Sequence, residues 1–186
     1  MALSRIFEPL KLGGMTVRNR IAAPPHAAML GALFGTEDEA ELYISYWRAL
    51  AEGGTGYLIA LNGFVENTVI PGFDPQGVGS RKGGVFRHPL YIERMGRIAE
   101  ECKARGACVG TQMIMQGGMP HGPSHTLSGP VINLVPHALT RREIRWFAAE
   151  YRHSAEQALA AGLDAVEIHA NHDDLIEWFL SPLTNH

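Results

Sequence analysis

A chain of 186 residues, 46% hydrophobic and 19% charged, has the length and composition of one globular domain with a real core. A formal net charge of -3 leaves no basic surplus to neutralise phosphates, which speaks against nucleic acid or an anionic membrane and for a small-molecule partner. Cys102 and Cys108 are too few for a disulfide framework or a four-thiolate cluster, Met1 to Pro9 carries no apolar run of signal-peptide length, and no segment reaches the roughly 20 apolar residues of a membrane helix, so a reducing cytoplasm is expected.

Leu10 to Val17 reads as a β-hairpin turning at Gly13-Gly14. A first strand follows over Ile21 to Pro24. Thr36 with Glu39 three residues on is a capping box, in which each side chain satisfies the other's orphan backbone N–H; it opens a helix that stops at Gly53-Gly54. The second strand is expected over about Tyr57 to Leu61. Its helix follows Pro89, sets Ile92, Met95, Ala99 and Cys102 on one face, and ends near Gly106. The third strand runs from Val109 to Met113. A second capping box, Thr140 with Glu143, opens a helix that carries Ile144, Phe147, Tyr151 and Ala155 at helical spacing and closes at Gly162. Ala165 to Ile168 is the fourth strand, and Leu175 to Leu180 begins a fourth helix that Pro182 ends or bends.

Short aliphatic strands alternating with amphipathic helices are βα units feeding a parallel sheet. Two connections, Gly63 to His88 and Ile114 to Leu139, are long, rich in Gly, Pro and His, and follow the C-terminal ends of strands. In a βα barrel those ends form the catalytic face, so both read as substrate-facing rather than as plain surface insertions. A complete barrel needs eight units and about 250 residues. Residues 1–186 are therefore read as the N-terminal half of a TIM (β/α)8 barrel, the hairpin plus βα units 1–4. A lone half exposes strand edges and apolar core surface. The missing half is expected from a longer parent chain, of which this is a truncated or cleaved piece, or from a partner chain, in an oligomer.

Phe7-Glu8-Pro9-Leu10, Leu12-Gly13 and Val17-Arg18-Asn19-Arg20-Ile21 open the chain, Gln112 lies in the third strand, and Glu167-Ile168-His169-Ala170-Asn171-His172 precedes Phe179-Leu180-Ser181-Pro182-Leu183-Thr184-Asn185. In this order they resemble the Old Yellow Enzyme / NADH:flavin oxidoreductase family over essentially the whole chain. The fourth-strand signature is the most specific, and His26 is more like the 2,4-dienoyl-CoA reductase-like subgroup, which also holds amine demethylases. The resemblance implies an FMN-dependent oxidoreductase that passes hydride from NADH or NADPH through the flavin to an activated C=C of an enone or enoyl thioester. It implies that main chain at Pro24, Pro25 and His26, together with Asn62 and the Gln112 amide, holds the isoalloxazine. An amide offers a donor and an acceptor side by side, matching the O2/N3–H edge of the flavin pyrimidine; by residue type alone Gln112 reads first as a buried amide satisfied by backbone. His169 and His172 are implied to hold a substrate carbonyl or a phenolate, two N–H donors meeting the charge that grows on an enolate oxygen. An i,i+3 histidine pair with Asp173 nearby also occurs among metal ligands, but the sequence shows no further ligand cluster and no metal is expected.

Asp173-Asp174 stand where the family follows its histidine pair with Gly-Tyr, the Tyr often being the proton donor. Asp174 serves as an acid only where burial raises its pKa. It is otherwise a base in the dehydrogenation direction, an anchor for a cationic amine, or a helix cap, with Glu177 at capping-box spacing. His26 replaces the family's frequent Cys or Thr, and Gly117-Gly118 replace the Arg that ends the strand-three motif. The family's phosphate site and a second Arg near the flavin belong to the second barrel half, so the chain alone is expected to bind FMN weakly or not at all. An iron–sulfur cluster and FAD are expected only in a further C-terminal region. The alternatives are a flavin-dependent amine demethylase or dehydrogenase, a non-catalytic half-barrel, and a flavin-free TIM-barrel lyase.

Overall fold

The computed structural model describes residues 2–26, 32–65, 84–115, 120–126 and 135–186. Strands β1 (Leu10–Leu12) and β2 (Met15–Val17) pair antiparallel with Leu10 opposite Val17, and the turn between them holds Gly13 at φ 57°, a conformation glycine adopts at no steric cost. Then follow β3 (Ala22–Ala23), α1 (Glu37–Glu52), β4 (Tyr57–Phe64), α2 (Tyr91–Lys103), β5 (Cys108–Ile114), β6 (His121–Gly122), β7 (His137–Ala138), α3 (Arg141–Ala160), β8 (Ala165–Ile168) and α4 (Leu175–Leu180). The order β3-β4-β5-β8 forms one four-stranded sheet. β3 and β4 are parallel, with Ala22 opposite Tyr57. The N–H of Cys108 donates to Gly56 and that of Val65 to Ile114, while Asp164 donates to Val109 and His169 to Met113, so numbering rises together along each neighbouring pair. Within this sheet, β3, β4 and β5 are each followed by a helix before the next strand, the kind of connection that parallel pairing uses.

The chain divides into two compact units, the first made of Met1–Asn62, His88–Gln112 and Ala155–Glu167, the second of Gly63–Arg87, Met113–Ser154 and Ile168–His186. In the first, α1 buries Ala40, Tyr43, Ile44, Trp47 and Ala51, a 3.6-residue stripe, and α2 buries Tyr91, Met95, Ile98, Ala99 and Cys102. Arg48 bridges Glu41 and Glu101, tying the two helices along their polar edges. Arg18 donates to the carbonyls of Ala51, Thr55 and Arg105, a cation placed on the carbonyl-rich ends of both helices. In the second unit, Phe147, Met113, Met115, Leu175 and Trp178 are buried, and Arg87 grips the buried carboxylate of Glu150 through Nε (2.9 Å) and Nη2 (2.8 Å).

Both capping boxes form. Thr36 and Glu39 exchange hydrogen bonds at the start of α1, and Thr140 and Glu143 do so before α3. The backbone N–H of Thr140, then His137, then the Thr140 hydroxyl hold the Glu143 carboxyl down at about 2. β8 and α4 have the expected bounds, whereas β3 is only Ala22–Ala23 and β4 continues through Asn62 and Gly63 to Phe64. Gly63 permits this, because a Cβ there would lie 3.0 Å from Val85. Two of the expected helical faces are corrected. Ile92 is exposed, its place on the buried face of α2 taken by Tyr91 and by Arg94, whose Nη1 donates to the Leu33 and Gly35 carbonyls. The buried stripe of α3 is Phe147, Glu150, Ser154 and Ala158, while Ile144 is exposed and Tyr151 and Ala155 are half-buried. Within the second long connection, β6 and β7 pair in parallel with His121 opposite His137; residues 66–83, 116–119 and 127–134 of the two connections, Gly117-Gly118 among them, lie outside the described residues. β8 leaves Val166 and Ile168 exposed. No helix among the described residues is long and apolar enough to cross a membrane.

Candidate active site

β8 ends at Ile168, and the next residue begins a tight cluster inside the second unit. The backbone N–H of His169 still donates to Met113 (3.0 Å), which fixes the imidazole at the strand's C-terminal end. Nδ1 of His169 lies 3.2 Å from Asp174 Oδ2, and its Nε2 lies 3.3 Å from Nδ1 of His172. The two rings stack with centroids 5.4 Å apart and planes 28° apart. Asp174 is 2% exposed, and both its oxygens are engaged: Oδ2 also accepts the N–H of Met115 (2.9 Å), and Oδ1 accepts that of Ile176 (3.1 Å), capping α4. Burial pushes the Asp174 carboxyl above the usual carboxylate range, against the pull of these backbone donors and of His169. The reach-back half of the expected capping box goes elsewhere, since Glu177 accepts from the N–H of Asp173 rather than of Asp174.

The backbone turns sharply here. His172 and Asp173 have φ of 54° and 64°, a left-handed region costly for residues with a Cβ. Glycine would adopt this φ at no steric cost. Asp173 tolerates it as a short polar residue whose carboxylate also accepts from Trp178 Nε1 at 3.4 Å. Asp173→Val is expected to destabilise the chain by about 2 kcal/mol more than Asp173→Gly, because a β-branched side chain cannot relax at this φ. Chemical denaturation of the two variants reads the difference directly; equal midpoints would show that the turn is not strained.

Of the two imidazoles expected to meet one substrate oxygen, His172 stands at the exposed end of the cluster and His169 behind it. Both nitrogens of His169 are occupied by chain groups, and His172 Nε2 forms the outer end of the cluster. Tyr151 was not singled out for this place: its phenol is buried, takes no hydrogen bond among the described residues, and has its pKa raised by burial and then by the Asp174 charge.

In the first unit, Gln112 is buried on β5, and its Nε2 donates a short hydrogen bond to Glu167 of β8, a partner that no sequence motif announced. Asn62 is exposed on β4. Pro24, Pro25 and His26 follow β3. Nδ1 of His26 lies 2.7 Å from the Pro24 carbonyl, which can only accept, and Nε2 lies 2.6 Å from the hydroxyl of Tyr46. The ring also packs edge-on against Tyr46 and tilted against Trp47. Cys102 and Cys108 are free thiols, both with pKa raised by burial, Cys102 to about 11. No group of three or more His, Cys, Asp or Glu among the described residues is placed to hold a metal.

A parallel β3-β4-β5-β8 sheet with intervening helices, and polar clusters gathered at strand ends, defines the chain as the first four βα units of a (β/α)8 barrel, the scaffold whose C-terminal strand ends carry chemistry. The chain belongs to the NADH:flavin oxidoreductase / NADH oxidase family, whose sequence profile matches residues 5–186. It is 30% identical to an NADPH dehydrogenase of Clostridium acetobutylicum over 188 residues, covering 97% of this chain and 52% of that protein. Old Yellow Enzyme from Pichia sp. AKU4542 superposes with a TM-score of 0.74 at 22% identity, over 97% of this chain and 50% of its own. A 6-hydroxypseudooxynicotine amine oxidase from Pseudomonas geniculata N1 gives a TM-score of 0.71 at 26% identity, over 98% of this chain and 27% of that one. The chain thus spans about half the length of the NADPH dehydrogenases it matches.

Proposed function

We propose that this chain is the N-terminal half of an FMN-dependent oxidoreductase that carries hydride from NADH or NADPH to an activated C=C of an enone or enoyl thioester. The observation that carries the reading is the His169–His172 pair at the end of β8, backed by a buried carboxylate, in a chain whose family is flavin-linked. The residues fit a flavin in part. Gln112 spends one N–H on Glu167, and the second N–H and the carbonyl of its amide match a pyrimidine edge. Pro24 and Pro25 have no N–H, so that stretch offers carbonyls and the single N–H of His26. Bound FMN would supply two-electron carrier chemistry between the nicotinamide and the substrate. The chain's own work would be to orient the ring through Gln112 and Asn62 and to meet charge on a substrate oxygen through His172.

The second reading, dehydrogenation or demethylation of an amine, is favoured by the 26% identity to the amine oxidase. The committed oxygens of Asp174 count against that residue as the cation anchor. That this chain covers only 27% of the amine oxidase also supports a longer parent, in which an iron–sulfur cluster and FAD would have room. The second barrel half, from the same parent or a partner, would complete the flavin site, in an oligomer and, given two free thiols, in a reducing cytoplasm.

Intact mass and a visible spectrum of the protein purified from its own source test the proposal. A yellow protein that bleaches with NADH or NADPH and recovers its colour with an enone is the expected result. Bleaching by a methylated amine in place of NADH or NADPH moves the assignment to the second reading, and a colourless protein that takes up no FMN makes it a non-catalytic half-barrel.

A further inference from the structure

We infer that Asp174 is a positioning residue that sets the direction of a proton relay, Asp174–His169–His172, whose outer end is Nε2 of His172. The inference rests on the proposed oxidoreductase reading for its use, but its geometry stands apart from it. Asp174 Oδ2 accepts the N–H of Met115 at 2.9 Å and faces His169 Nδ1 at 3.2 Å, while Oδ1 accepts Ile176 at 3.1 Å. An ionised carboxylate has no proton to give, so His169 must carry its hydrogen on Nδ1. Its Nε2 then holds a lone pair, and the only proton for the 3.3 Å contact comes from Nδ1 of His172. Both neutral imidazoles are thereby forced into the Nδ1–H form, and His172 Nε2 is left as a base.

One added proton reverses the chain. His172 Nε2 becomes N–H, the Nδ1 proton of His172 passes to His169 Nε2, and the positive charge comes to rest on His169 against Asp174, with its Nδ1 proton shared along that hydrogen bond. Donation to a substrate runs the same steps backwards: one proton leaves His172 Nε2, His169 Nε2 returns one to His172 Nδ1, and Asp174 remains a carboxylate. No electrons move, and solvent restores the proton at the exposed His172. Among the described residues, the other ionisable groups beside the relay are Tyr151 of α3, whose phenol feels the Asp174 charge, and on the α4 side Asp173 and Glu177. Asp174 thus stands where the family has its Tyr yet acts through an imidazole, which suits a buried residue with no oxygen free for a substrate.

Nitrogen-15 NMR of the histidine side chains of the full chain, in alkaline solution without flavin, reads the tautomers directly. Free imidazole prefers Nε2–H, so Nδ1–H on both His169 and His172 is the distinctive expected result. In Asp174→Asn and in Asp174→Ser, which retains an oxygen to cap Ile176, the proton on His169 is expected to move to Nε2, with the Trp178 indole signal unchanged as the check on α4. Nε2–H on His169 in the unaltered chain, or Nδ1–H retained in either folded variant, overturns the relay. If neither variant folds, the spectrum of the unaltered chain decides alone. An Asp174-dependent tautomer in a protein that carries no flavin when purified from its own source keeps the relay and sinks the oxidoreductase reading; a flavoprotein with the wrong tautomer does the reverse.

Discussion

Arg87→Ala is expected to lower the unfolding free energy by about 2 to 3 kcal/mol, an unusually large loss for a side chain that is 42% exposed. The cost arises at its partner. Glu150 is 7% exposed and sits in the middle of the buried stripe of α3, between Phe147 and Ser154, so removing the guanidinium strands a carboxylate away from water. The fork geometry, Nε and Nη2 on separate oxygens, is the strong form of this pairing. Fully buried pairs lose about 3 to 5 kcal/mol when one partner goes, and the exposure of Arg87 scales that down. The double change Arg87→Met with Glu150→Leu should therefore recover most of the loss, since apolar groups of similar volume leave no orphan charge. Urea unfolding of the three proteins tests both halves; a loss below about 0.5 kcal/mol in Arg87→Ala would mean that water reaches Glu150 and the pair is an ordinary surface one. Arg87 closes the connection that leaves β4, so the same experiment reports how firmly that connection is held to α3.

Glu150 also shows where sequence reasoning stops. Caps and turns are local: Thr36 with Glu39, Thr140 with Glu143 and the glycine turn before β2 depend on residues within four positions, and all were legible. So were the strand–helix alternation and the bounds of β8 and α4. The face of α3 was read by apolar spacing, which chose Ile144 and Tyr151, because nothing nearby says that a glutamate will be buried; its partner lies 63 residues away. Arg94 in α2 fails the same test, satisfied by carbonyls 59 and 61 positions distant. The histidine pair was legible as a motif, while its wiring was not. That Asp174 reaches back to Met115, and that Gln112 meets Glu167, are facts of sheet register, which brings together residues 59 and 55 positions apart.

His121 should make the chain acid-sensitive well above the range in which carboxylates titrate. It is fully buried on β6, edge-on to Phe147 with centroids 5.1 Å apart, and burial, followed by the charge of His137, holds its pKa down to about 4. An unfolded chain takes up that proton near pH 6.5, so between there and about pH 4 the unfolded state binds more protons than the folded one, and stability falls as pH falls. A gap of this size corresponds to about 3 kcal/mol, fully present as a loss only near pH 4 and absent above pH 7. His121→Leu removes the titrating group while filling similar space. The difference in unfolding free energy between pH 7.5 and pH 4 should accordingly shrink by about 3 kcal/mol in the variant. An unchanged pH difference would place the imidazole in contact with water and remove it from the account of acid unfolding.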